Sequence, residues 1–113
     1  MKTGERTHAS ASVKVGYSQA VSSHLRGHLR ELTHLHSSEH GKGHARELMR
    51  GLFEEADKDE ITLMVIVEPY EKGLTAEQLE EWYARMGFFE LQDKPLIMIR
   101  LPYASQPMRP LNG

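Results

Sequence analysis

LHSSEHGKGHAREL, residues 35–48, is the stretch on which the reading of this chain turns. Its middle, Ser37-Ser38-Glu39-His40-Gly41-Lys42-Gly43, is a loop by composition. Upstream, Leu29 to His36 alternates as a strand does. Leu29, Glu31, Thr33 and Leu35 fall on one side, and Arg30, Leu32, His34 and His36 on the other. Downstream, Ala45, Leu48, Met49, Leu52, Phe53 and Ala56 form one apolar stripe at helical spacing. Arg46, Glu47, Arg50, Glu54 and Glu55 take the opposite side, which predicts a helix from near Gly43 to near Asp57. A helix start leaves its first amides without intrahelical partners and carries about half a positive charge. Glycines there let the backbone curl and let an anion come close. Gly41, Lys42, Gly43, His44 and Ala45 therefore read as a cradle for a phosphate or diphosphate; a tight strand-to-helix turn without a ligand is the competing reading. The spacing is not Gly-x-x-x-x-Gly-Lys-Ser/Thr, and Arg46 stands where Gly-x-Gly-x-x-Gly needs its third glycine. Both features argue against a nucleoside triphosphatase or a dinucleotide enzyme.

Working outward, Ile61 to Val67 is a short, almost continuous β-rich run of the kind buried on both faces. With the strand and helix before it, this run makes a βαβ unit. Thr75 and Gln78 fit a capping box. The stripe Ala76, Leu79, Trp82, Tyr83 and Met86 follows, with Gly87 where a left-handed residue ends a helix. Phe88 to Leu91 and Leu96 to Leu101 are strands joined by a turn at Asp93-Lys94-Pro95. Val13 to Val21 is a weaker strand. The expected order is β-β-α-β-α-β-β, one domain over 1–113 with an ordered core over roughly 12–103. Met1 to Ala11 and Ala104 to Gly113 are expected to be flexible.

Composition narrows the function classes. The chain has 113 residues, 14 Lys and Arg against 16 Asp and Glu, and a formal charge of −2, a poor match to phosphate-backbone binding. No nucleic-acid partner is expected. No apolar run approaches the roughly 20 residues of a bilayer span, so no membrane role is expected either. With no cysteine there is no disulfide, no thiolate metal site and no cysteine nucleophile. A cytoplasmic location is the default.

Residues 35–48 resemble the coenzyme A loop of the GCN5-related N-acetyltransferases (GNAT), Gln/Arg-x-x-Gly-x-Gly/Ala. Trp82 to Phe88, WYARMGF, resembles that family's aromatic-Tyr-x-x-x-Gly-Phe block. The blocks and their flanks cover Leu29 to Leu101. The resemblance implies an α/β fold: a mixed, mainly antiparallel sheet with a central βαβ unit and splayed strands, acyl-CoA N-acyltransferase-like, lacking most of the N-terminal helices. It departs from the pattern at Ser38, where Gln or Arg is usual, and at His40, where arginine usually precedes the first glycine. Lys42 can restore the lost positive charge.

The function implied is transfer of an acetyl group from acetyl-CoA, as cosubstrate, to an amine of a small molecule or protein. Leu35, His36, Ser38, His40, Gly41, Lys42, Gly43, His44 and Ala45 would hold the coenzyme. Tyr83 would protonate the leaving sulfur, and its competing role is a buried stripe tyrosine. Glu31 is the candidate base, with Glu68 as its rival and a solvated edge carboxylate as the plainer reading. A reduced acceptor side stays open or is completed by a second copy in a homodimer. The alternative from another class is a non-catalytic coenzyme A-binding or protein-interaction domain of the same fold. A remoter one is a histidine-based metal-binding protein: His24, His28, His34, His36, His40 and His44 cluster, and His34 and His36 would share a strand face. No carboxylate or thiolate spacing completes a metal site, so none is expected. Trp82, Phe53, Phe88 and Phe89 read as core, and Glu54 to Glu60 as a solvated helix end.

Overall fold

The computed structural model describes residues 1–18, 27–39, 41–68 and 75–103. Six strands form one sheet in the order β1-β2-β3-β4-β6-β5. They are β1 (Gly4–His8), β2 (Ala11–Gly16), β3 (Leu29–Ser37), β4 (Thr62–Ile66), β5 (Phe89–Gln92) and β6 (Ile97–Arg100). Helix α1 (His44–Lys58) joins β3 to β4, and α2 (Ala76–Arg85) joins β4 to β5. β3 and β4 pair in parallel and the other neighbours are antiparallel. Among the described residues no α-helix precedes β3.

The strand at residues 4–8 corrects the expectation of a loose start. Gly4–His8 has no apolar alternation, and four of its five residues are exposed. It is ordered by its ladder to β2 and by Arg6, whose two terminal nitrogens reach Glu55 of α1 at 2.6 and 3.1 Å. Those hydrogen bonds hold the Glu55 carboxyl below the usual carboxylate range and raise the Arg6 guanidinium. Strand β2 ends at Gly16, and residues 19–21 of the longer expected strand lie outside the described residues. So do residues 104–113.

β5 is antiparallel to β6 and β6 to β4, so β5 runs parallel to β4. Both crossovers advance the same way across the sheet, and right-handed connections then lay α1 and α2 on one face. The packing agrees: Phe53 of α1 and Tyr83 of α2 both press on Phe88, with ring centroids 5.9 and 5.4 Å away. The core lies under these helices. Leu48, Met49, Leu52 and Ala56 of α1 and Leu79 and Tyr83 of α2 are buried against Val13, Val15, Leu32, Leu63, Val65 and Met98. The capping box forms as read: Gln78 N–H donates to Thr75 Oγ1 at 3.1 Å, and Thr75 N–H to Gln78 Oε1 at 2.9 Å. Gly87 takes φ 99° at the end of α2. Phe89 is not core; it is 43% exposed on the face away from the helices.

Strand β3 carries the irregularity that shapes the site. Lys14 pairs with Thr33 but Ser12 with His36, so His34 and Leu35 together oppose Val13 in a β-bulge. His34 takes a left-handed φ of 57°. The extra residue reverses the phase of the strand. Arg30, Leu32, Leu35 and Ser37 are buried on the helix side, while Glu31, Thr33 and His36 face the other way. Glu31 and Leu35 therefore do not share a face.

Candidate active site

Pairing between β3 and β4 covers Leu29 to Leu32 and Thr62 to Val65, then stops. The bulge begins two residues later, the strands diverge, and the split opens a cavity of about 460 Å³. Its walls are β3 from Glu31 to Leu35 with Ser37, the loop at Glu39, Gly41 and Gly43, and the start of α1 at His44, Ala45 and Arg46. Ile66 and Glu68 at the end of β4, and Leu79, Trp82 and Tyr83 of α2, close it.

One wall of this cavity is a helix N-terminus. Gly43 is the N-cap residue at φ 76°, and no side chain caps the helix. Gly41 is also left-handed, at φ 79°. A side-chain carbon added at either glycine would meet nothing within 4 Å. The helix start is thus uncapped and uncrowded at its two glycines, and uncapped first-turn amides are the groups that bind anions at helix starts. Arg46, a cation, is also among the lining residues.

Another wall is set by α2. Tyr83 is 9% exposed, lines the cavity and stands edge-on to Trp82 and Phe88, with centroids 5.1 and 5.4 Å away. Its stripe position on α2 and the short turn to Phe88 aim it at the split strands. Glu31, half-buried, and Glu68, exposed, bring carboxylates to the same cavity.

Of the residues expected to hold a coenzyme, Leu35, Gly41, Gly43, His44 and Ala45 line the cavity. His36, Ser38 and Lys42 are exposed and stand outside that wall; His40 lies outside the described residues. Tyr83 and Glu31, the expected acid and base, both line it. Sequence reading missed Arg46, Ser37 and Trp82. In the sequence Arg46 reads as the polar side of α1 and the place of a missing third glycine, and Trp82 reads as core.

It also missed Ser10, on the turn between β1 and β2. Ser10 Oγ lies 2.7 Å from His44 Nδ1 and 3.0 Å from Ser37 Oγ, and it accepts from Glu39 N–H at 3.3 Å. No local pattern marks it, because its partners lie 27 to 34 residues away. Among the described residues no group of three or more His, Cys, Asp or Glu side chains is placed to hold a metal ion. Nor is any helix among them long and apolar enough to cross a membrane.

The sequence matches no protein-family model and no curated protein. Solved structures do resemble it. The anti-CRISPR protein AcrVA5 superposes with a TM-score of 0.68 at 11% identity, over 88% of this chain and 98% of that one. The GNAT family N-acetyltransferase YhbS from Escherichia coli, in complex with CoA, gives 0.56 at 12% identity, over 80% of this chain. N-acetylglutamate synthase from Neisseria gonorrhoeae, complexed with coenzyme A and L-arginine, gives 0.56 at 15% identity, over 82%. The match spans 51% of the YhbS chain and 22% of the synthase chain. At such identities the likeness speaks to fold. The chain has the GNAT-type acyl-CoA N-acyltransferase fold.

Proposed function

We propose that this chain transfers an acetyl group from acetyl-CoA to an amine. The observation that carries the reading is one cavity lined together by an uncapped, glycine-flanked helix start, by Tyr83 and by the split strands. A diphosphate takes the free amides of α1 with Arg46 beside it. The pantetheine arm runs along the unpaired edge of β3 past Leu35, its amides bonding to backbone as an added strand would. The two CoA-bound neighbours of the same fold support this placement.

The thioester then sits in the split. The neutral amine attacks the carbonyl carbon, the tetrahedral oxyanion collapses, and the carbon–sulfur bond breaks. Tyr83 gives its phenolic proton to the departing sulfur. Glu31, or Glu68 through water, takes the proton that the new amide nitrogen sheds. The products are the N-acetyl amine and free coenzyme A thiol. Among the described residues no helix covers the sheet face that carries Glu31 and Thr33. An amine on a protein or a small molecule can approach from there, and a second copy of the chain would close that side.

Thiol release from acetyl-CoA over a panel of small amines and lysine peptides tests the proposal. Amine-dependent release is expected. Coenzyme binding with no release for any amine leaves the non-catalytic reading, and no binding at all removes both.

A further inference from the structure

Resting on that reading, we infer that Ser10 is a positioning residue for the coenzyme's diphosphate. It acts through the loop and helix start that it ties down and touches no reacting atom. Ser10 sits where the chain turns between β1 and β2, half-buried, after Ala9 at a left-handed φ of 52°. It reaches four points of the β3–α1 connection. Its carbonyl accepts from Ser38 N–H at 3.1 Å and its hydroxyl from Glu39 N–H at 3.3 Å. The same hydroxyl meets Ser37 Oγ at 3.0 Å and His44 Nδ1 at 2.7 Å, and Ser10 N–H points at that nitrogen from 3.4 Å. Ser37 Oγ in turn donates to Glu39 O at 3.1 Å.

Proton counting gives the same partner under either neutral tautomer of His44. With the proton on Nδ1, donation runs His44 to Ser10 to Ser37 to Glu39 O. With it on the other ring nitrogen, Ser10 donates to Nδ1 through its hydroxyl and its amide. Four of the five side-chain contacts hold in each case. Under either tautomer Ser10 is thus bonded to the loop before Gly41 and to the first helical residue of α1, and with the proton on Nδ1 also to the last residue of β3. Gly41 and Gly43 have no side chains with which to hold their own course, and no side chain caps α1. The brace from outside therefore fixes where the first-turn amides point.

The test is CoA titration of the wild type, Ser10→Ala, Ser10→Thr, His44→Ala and the Ser10→Ala/His44→Ala pair. Turnover of acetyl-pantetheine, which lacks the diphosphate, and thermal melting run in parallel. Ser10→Ala is expected to weaken CoA binding about three- to tenfold, a hydrogen-bonding effect, while acetyl-pantetheine turnover stays within twofold. Ser10→Thr keeps the hydroxyl and should retain most of the affinity. The double variant should lose less than the product of its single losses. Equal CoA affinity in wild type and Ser10→Ala overturns the inference, as does equal loss for CoA and acetyl-pantetheine. A wild type that binds no CoA overturns the functional proposal itself.

Discussion

Arg100 places its two terminal nitrogens on the Asp57 carboxylate, at 2.9 and 3.1 Å, while its guanidinium lies 4.3 Å from the centre of the Phe53 ring. The pair ties the last strand of the sheet to the last turn of α1, and Tyr103 N–H adds a third bond to the same carboxylate at 2.9 Å. Arg100 is nearly buried, so loss of its partner leaves a charge with reduced access to water. Asp57→Ala should destabilise the fold by about 1–3 kcal/mol, below a fully buried pair because Asp57 is partly exposed. Urea unfolding measures it. Arg100→Lys should recover only part of the wild-type stability, because an ammonium neither forks onto the carboxylate nor stacks as flatly.

The Arg6–Glu55 bridge predicts an acid-sensitive link between β1 and α1. Arg6 holds the folded-state Glu55 below its unfolded range, about 4.3. A depressed carboxyl contributes stability that is full above the unfolded value and is lost as pH falls through the folded one. The stability difference between wild type and Glu55→Gln should therefore be largest near pH 6. It should shrink as the pH falls below the unfolded value and vanish only below the lowered folded one. A difference that stays constant across that range would deny the bridge its role.

Gly41→Ala and Gly43→Ala separate backbone strain from ligand exclusion. Each places a side chain in the left-handed region, at a cost of about 1–2 kcal/mol in folding stability. Neither creates a clash within the chain. Any fall in coenzyme affinity would then report an obstructed ligand or a moved amide. Gly41→Val, bulkier and β-branched, should abolish binding detectable by calorimetry while the protein remains folded.

Tyr83→Phe removes one hydroxyl from a packed aromatic cluster. If the phenol protonates the leaving thiolate, kcat should fall by about a hundredfold or more with coenzyme affinity nearly unchanged. A variant with wild-type kcat would return Tyr83 to a packing role.

Much of this architecture is readable from local pattern, and what is not follows from contacts distant in sequence. The stripe of α1, the β-rich run of β4 and the Thr75–Gln78 box are each decided within a few residues, so they appear in the sequence as they do in the fold. β1 is invisible there because Gly4–His8 is polar throughout and is ordered by β2 and by Glu55, 49 residues beyond Arg6. The run Glu54 to Glu60 looks solvated by composition, yet Glu55, Asp57 and Asp59 each bind a cation from another part of the chain. His34 is the costliest blind spot. Nothing in an alternating strand announces a left-handed non-glycine residue, and that one residue turns Glu31 and Leu35 onto opposite faces. The loop before α1 is legible as a turn through Gly41 and Gly43, whereas Ser10, which braces it, has a position that only the fold supplies.

A crystal structure of the chain with coenzyme A tests the central claim most directly. The diphosphate oxygens should lie within hydrogen-bond distance of the backbone amides between Gly41 and Arg46, with the thiol in the split near Tyr83. Coenzyme bound elsewhere, with those amides covered by solvent or by a side chain of the protein, would contradict it.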